Sequence, residues 1–341
     1  MSVGLSAPFP YFGGKGRVAS QIWDRLGDCD GYVEPFAGSI AVALANPRPQ
    51  LKSETVNDTN GHIVNFWRSV AQYPERVAIA ADWPVSQIDL SARHRMLNDA
   101  RSDLTQRMIT DPDDCDPDLA GVWVWGIGQW IGGHWATGKT SNKKPNTHRN
   151  RGVHAIGQRP HLGDHGMGVH AVGQRPHLGN HGMGVHAIGQ RPHLGQRPHL
   201  GNHSGFYATF QRLAERLRYT RVTCCDWSSL RSSVHSSCKW AVFLDPPYTA
   251  RSGRDPNIYA GSSDEHLTLG DEVHTWALEL ASKGHMVALC GVVGEYEIPP
   301  TWETLEWKTG GFSMGGRDRR EAIWFSPSCT RSQLDLLGGR E

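Results

Sequence analysis

The sequence predicts an α/β fold built on a parallel sheet, on three observations. Residues 240–244, WAVFL, form a short apolar run rich in β-branched and aromatic side chains, the composition of a strand buried on both faces. Residues 31–45 read as strand, small-residue turn and helix, the opening of a nucleotide-type βα unit. Residues 55–70 then repeat strand and helix, with Asp58 at the strand end and Ile63, Phe66, Trp67 and Val70 on the helix. A chain of 341 residues, 38% hydrophobic, holds either one elaborated α/β domain or two smaller ones.

Taken in order, the N-terminal ten residues carry no basic stretch followed by a long apolar one, so no secretory signal is expected. Seven cysteines, an odd number without a close CxxC pair, fit reduced thiols and a cytoplasmic setting. Tyr11, Gly13, Gly14 and Lys15 lie in a glycine-rich turn before an amphipathic helix carrying Val18, Ile22 and Leu26 on one face. Backbone N–H groups at such a turn, and the lysine, attract a carboxylate or phosphate. Gly16 stands where a P-loop needs Ser or Thr, so the turn is not of that kind. Glu34 ends the first strand and is followed by Pro35, Phe36, Ala37 and Gly38. Asp58 at the second strand end is placed to take both ribose hydroxyls of a nucleotide. A helix N-cap is the rival reading for either acid.

Residues 75–120 are helical in pattern through Leu97, Leu104 and Met108, and turn acidic at 111–118. Trp123, Trp125, Trp130 and Trp135 follow, interleaved with glycines; burial is the expected role for most of them, stacking on bases the alternative. Residues 133–140 match the P-loop pattern in letters only, because Pro145 and its polar neighbours cannot start the required helix.

A 16-residue unit, GVHAIGQRPHLGDHGM at 152–167, recurs from Gly168 and Gly184 and closes with a truncated copy at 196–201. Its glycines and prolines exclude a continuous helix, leaving stacked loops or strand pairs, or a flexible insert. Between Lys139 and His203 stand nine Lys and Arg against one acid, Asp164, so the rest of the chain holds 26 basic and 33 acidic residues. Such a block suits a polyanion, and Lys139, Lys143, Lys144, Arg159, Arg175, Arg191 and Arg197 are the candidate DNA contacts. The repeat histidines lack the paired cysteines and helical spacing of metal fingers, and no metal is expected.

The α/β pattern resumes with a helix through Phe206, Phe210, Leu213 and Leu217, a strand over 221–225 ending at Asp226, and the apolar run 240–244. Asp245, Pro246, Pro247 and Tyr248 come next, at a strand's carboxyl end, where open α/β sheets bind ligands. The two prolines stiffen the turn. An amine conjugated to an aromatic ring is a poor nucleophile, and a catalyst must accept its two N–H bonds. Asp245 and the Pro246 carbonyl supply two acceptors and Tyr248 a stacking face. A polar loop over 249–263, a helix over 264–282, a strand at 286–290 and a hairpin pairing 303–307 with 321–325 complete the chain.

Tyr11 to Lys15, Glu34 to Gly38, Asp58 and Asp245 to Tyr248, in that order, resemble the Dam-like D12 class of DNA adenine-N6 methyltransferases. The resemblance covers roughly residues 8–70 and 206–327. It implies a Rossmann-like S-adenosylmethionine-dependent methyltransferase fold with an inserted target-recognition region. The expected parts are 1–70 with the cofactor motifs, a helical and Trp-rich stretch at 71–148, the basic repeats at 149–203, and the catalytic part at 204–330. It also implies that Asp245, Pro246, Pro247 and Tyr248 are catalytic. Tyr11, Gly13, Gly14, Lys15, Glu34, Pro35, Phe36, Gly38, Asp58, Asp226 and Asp245 would hold S-adenosylmethionine, Lys15 and Tyr11 at its methionine end. Ile40, where many members carry a second glycine, narrows the turn after the first strand. Duplex DNA is the implied partner, with the target base flipped out, and a cognate restriction endonuclease is a further candidate. A monomer or weak dimer is expected, and the repeat-rich insert looks similar to phage or mobile-element methyltransferases. Cytosine N4, an RNA adenine, or a non-catalytic DNA-masking protein built on the repeats are the alternatives.

Overall fold

The computed structural model describes residues 5–9, 11, 13–130, 135–137, 206–248, 263–308 and 320–329. The chain forms two compact units. The first takes the residues up to Gly14, Asp58–Arg218 and Val222–Cys225; the second takes Lys15–Asn57, Tyr219–Arg221 and the chain from Asp226 onward.

The second unit carries the sheet. Its strands are β1 (Gly31–Glu34), β2 (Ser53–Asn57), β3 (Thr220–Thr223), β4 (Trp240–Leu244), β5 (Met286–Val292), β6 (Glu303–Lys308) and β7 (Arg320–Phe325), with β3 running on into the first unit. They lie in the order β3-β2-β1-β4-β5-β7-β6. β1 is parallel to β2 and β4, and β4 to β5, whereas β7 is antiparallel to both β5 and β6. Every residue of β1, β4 and β5 is buried, as the apolar runs require, while the outer strand β6 alternates exposed and half-buried positions. Gly31 is needed at the start of β1, because a Cβ there would sit 2.4 Å from the Trp240 ring. Chain direction outward from the sheet centre reverses between β1 and β4, which sets their carboxyl ends at a topological switch point. The fold is α/β and of the Rossmann-like methyltransferase type, and the hairpin pairs Glu303 with Phe325 through Lys308 with Arg320.

Helices α1 (Ala19–Leu26), α2 (Ala41–Leu44) and α8 (Ser263–Ser282) belong to this unit. The helix after the glycine turn starts at Ala19, not directly behind Gly16, because residues 16–18 form a turn closed by Val18 N–H on the Lys15 carbonyl at 3.0 Å. Val18, Ile22 and Leu26 are its buried face, and Trp23 Nε1–H donates to the Val42 carbonyl at 2.7 Å.

The first unit is helical: α3 (Gly61–Gln72), α4 (Pro74–Ala81), α5 (Gln87–Thr110), α6 (Pro117–Ile127) and α7 (Phe206–Leu217). α3 is buried continuously from Gly61 to Val70, the central helix of its unit. α5 buries Leu90, Leu97, Leu104 and Met108, a narrow stripe on a long polar helix. The acidic stretch at 111–118 ends as a helix start: Asp116 accepts from Asp118 and Leu119 N–H, with Pro117 in the first turn. Trp123, Trp125 and Trp135 are buried as expected, and Trp130 is half-buried against His94. Gly126 makes room for Trp135, whose ring a Cβ would meet at 1.8 Å. Among the described residues no helix is long and apolar enough to cross a membrane.

Candidate active site

The carboxyl end of β4 hands the chain to Asp245 and Pro246, and the site gathers there. Lys15 Nζ reaches Asp245 Oδ1 at 2.8 Å and Oδ2 at 2.7 Å, and the Tyr248 hydroxyl at 3.1 Å. Lys15 is 4% exposed and the Asp245 side chain 20%, so the cation lies on the protein side of the carboxylate. Burial by itself lowers an ammonium pKa. Here the charges of Asp245 and Glu321 and the hydrogen bond to Asp245 outweigh it and raise Lys15, which stays protonated. Tyr248 is 3% exposed, its ring covered as well as its hydroxyl bonded.

On the neighbouring strand, Glu34 is 2% exposed. Its Oε2 accepts from the Tyr32 hydroxyl at 2.9 Å and the Ala43 N–H at 3.3 Å. Burial pushes its pKa up to about 8 against those two hydrogen bonds. The turn after Glu34 is locked from β2: Ala37 N–H donates to the Asn57 carbonyl at 2.8 Å, and Asn57 Nδ2–H to the Pro35 carbonyl at 3.1 Å. Gly38 has φ 47° and Ile40 φ 44°, so the turn takes the left-handed region twice. For a buried β-branched residue that is strained backbone. Phe36 is half-buried beside Trp227, ring centroids 6.2 Å apart.

Asp226 is exposed and caps the 3₁₀ turn at Trp227–Ser233, accepting from Ser228 N–H at 2.9 Å. The strand before it stops at Thr223, two residues earlier than the sequence suggested. In the first unit, Tyr11 is 40% exposed and its carbonyl accepts the Gly14 N–H at 3.1 Å, with Gly13 at φ 73°. Phe9 moors this stretch against Phe66, Trp67 and Trp123, centroids 4.9 to 5.6 Å away. Asp58 accepts from Asn60 N–H at 2.8 Å, and Asn60, not Asp58, caps α3.

Lys15, Asp245 and Tyr248 are thus brought together, Pro246 is buried, and Glu34 stands on the adjacent strand. Tyr11, Gly13, Gly14 and Asp58 belong to the first unit. Lys139, Lys143, Lys144, Arg159, Arg175, Arg191 and Arg197, with the repeats and the loop at 249–262, lie outside the described residues. Sequence reasoning missed three residues. Asn57 stands one place before the acid that drew attention, Glu321, whose charge acts on Lys15, comes from a strand that carries no motif, and so does the buried neutral thiol Cys290.

The arrangement offers a held carboxylate, a carbonyl and an aromatic ring beside the switch point, which suits an amine on a flat ring. No curated protein matches the chain. Residues 11–82, from the glycine turn through β1, β2 and α3 and ending short of Asp245, match the family model of the D12 class N6 adenine-specific DNA methyltransferase. By that match residues 11–82 are similar to the D12 class of N6 adenine-specific DNA methyltransferases.

Proposed function

We propose that the chain transfers a methyl group from S-adenosylmethionine to the N6 amine of an adenine flipped out of duplex DNA. The observation that carries this reading is Asp245, held at the carboxyl end of β4 with Pro246 and Tyr248 beside it. An adenine amine shares its lone pair with the ring and has two N–H bonds to give. Asp245 and the Pro246 carbonyl accept them and favour the pyramidal nitrogen, whose lone pair would form the new N–C bond as the sulfonium S–C bond breaks and its electron pair returns to sulfur, one amine proton then passing to solvent. Tyr248 stacks on the base, so base entry requires the cover over its ring to move. The effect is mainly positioning and exclusion of water, without a covalent enzyme intermediate.

S-adenosylmethionine supplies a methyl group made electrophilic by a sulfonium cation. Asp245 and the buried Glu321 fit a cationic group, and the left-handed turn at Gly38 with half-buried Phe36 fits a flat ring nearby. Glu34, Pro35, Phe36, Gly38, Asp226 and Asp245 are the proposed contacts within the second unit. Flipping costs a few kcal/mol of unstacking, which phosphate contacts by the basic block of 139–203 offset.

The test is transfer of labelled methyl from S-adenosylmethionine to unmethylated duplex DNA, followed by nucleoside analysis. N6-methyladenine is expected, and Asp245→Ala should lower its yield by ~10²-fold or more. Methylation of cytosine, or transfer unaffected by Asp245→Ala, would sink the reading. Deletion of 152–201 should abolish DNA binding and leave cofactor binding intact; unchanged DNA affinity would remove the repeats from the account.

A further inference from the structure

We propose that Lys15 is a positioning residue that fixes Asp245 and Tyr248 relative to each other, an inference that rests on the methyl-transfer reading above. The geometry is a three-way tether. An ammonium carries three protons on a tetrahedral nitrogen, and Lys15 Nζ has three oxygens within reach: Asp245 Oδ1 at 2.8 Å, Asp245 Oδ2 at 2.7 Å and the Tyr248 hydroxyl at 3.1 Å. Chelating both oxygens stops the carboxylate from rotating about its own axis, so its outer lone pairs keep one direction. The third contact holds the edge of the Tyr248 ring. Charge assistance strengthens the two bonds to the carboxylate.

The root of the tether is itself fixed. The Lys15 carbonyl accepts from Val18 N–H at 3.0 Å, at the turn that enters α1. α1 is anchored by Trp23, whose indole donates to the Val42 carbonyl and whose ring lies 5.0 Å from that of Tyr32 on β1. A side chain from the start of α1 therefore sets the two groups that would meet the amine and its ring. At 4% exposure Lys15 lies behind the carboxylate, leaving the more exposed side of Asp245 for the substrate. This differs from a lysine that holds the methionine end of the cofactor, because both kinds of lysine are needed for activity but only the latter is needed for cofactor affinity.

The discriminating experiment is a double-mutant cycle with a binding readout. Single-turnover methyl transfer to duplex DNA is measured for the wild type, K15M, Y248F and K15M/Y248F, and the affinity for S-adenosylhomocysteine is measured by calorimetry for each. K15M should slow transfer by about 10²-fold, the order expected when a reacting group is misplaced, with affinity for S-adenosylhomocysteine within about threefold of wild type. Y248F removes only the tethered hydroxyl. It should slow transfer several-fold alone and add almost nothing to K15M, since the tether is already gone. Full additivity of the two changes, or a K15M loss that lies in S-adenosylhomocysteine affinity, would overturn the proposal. If K15M does not fold, the same cycle on K15R, which keeps the charge on a planar group, reads the same coupling, and additivity there overturns it equally. A wild type that transfers no methyl to DNA refutes the methyl-transfer reading itself. Transfer that needs Asp245 but is indifferent to Lys15 refutes the tether alone.

Discussion

Among the described residues each unit buries one Lys or Arg to the same depth, and the surroundings of the two make opposite use of it. Arg68 in α3 and Lys15 before α1 are both 4% exposed. Arg68 faces neutral carbonyls: its Nε donates to Val222 at 3.0 Å, Nη1 to Asp111 at 2.9 Å and Asp114 at 3.3 Å, and Nη2 to Met108 at 3.2 Å. Burial wins there and the guanidinium pKa is lowered. Lys15 faces a carboxylate, and its pKa is raised. The fork of Arg68 staples α3 to the end of α5, the loop after it and Val222, all within the first unit. Its charge is a cost tolerated for five donors in a rigid plane. The charge of Lys15 has a partner, and that partner is the group the chemistry needs.

The largest effect expected from this contrast is at the staple. Arg68→Met leaves the buried Val222 and Met108 carbonyls, and the part-buried ones of Asp111 and Asp114, without their donor and should destabilise the protein by about 3–5 kcal/mol, read by urea denaturation. Arg68→Lys keeps the charge but has three donors instead of five and should recover only part of the loss. A near-complete rescue by lysine would show that charge, not the fork, does the stapling, and the comparison with Lys15 would collapse.

Two buried titratable groups carry the same division into pH. His62 in α3 donates through Nε2 to the Leu97 carbonyl at 3.0 Å, and burial pulls its pKa down to about 4. The unfolded imidazole takes a proton near its ordinary 6.5, so this contribution is present above that pH and lost as pH falls towards 4. Glu34 has the opposite sign. Its folded pKa of about 8 lies above the ordinary 4.5, so its contribution is complete below 4.5 and lost as pH rises towards 8. Glu34→Gln keeps the shape and stays neutral. Relative to wild type it should gain about 1.4 kcal/mol per pH unit across that window, measured by denaturation from pH 5 to 8. A parallel pair of curves would mean that Glu34 is ionised in the folded protein.

The parts of this division that were readable beforehand are the local ones. WAVFL reads as a buried strand, and an acid followed by two prolines at its end reads as a turn at the sheet's ligand-binding edge. What stayed hidden depends on strand order. Lys15 reads as a lysine waiting for an external anion, because Asp245, 230 residues away, becomes its neighbour only when β4 is laid beside β1. Glu321 acts on Lys15 only because β7 folds back against β5. The lock on the β1 turn comes from Asn57, whose side-chain amide has no reason to face Pro35 until β2 is in place. The start of α1 is not set by its sequence, since a glycine turn signals that a helix follows but not how many residues the turn uses.

Ile40 offers the smallest and sharpest test of whether the second unit carries strain at its site. Its φ of 44° and ψ of 29° are left-handed, and its side chain is wholly buried. An L-residue there is disfavoured by roughly 1–2 kcal/mol, and glycine is not. Both Ile40→Ala and Ile40→Gly lose the buried side chain, so the difference between them isolates the backbone. In most ordered positions glycine is the worse of the two by ~0.5–1 kcal/mol, because its unfolded chain is freer. At Ile40 the order should invert, with glycine more stable than alanine by about 1 kcal/mol in urea denaturation. Alanine at or above glycine would mean that the turn relaxes to negative φ once the isoleucine is gone. The left-handed backbone would then belong to Ile40's packing, not to the turn that Asn57 locks.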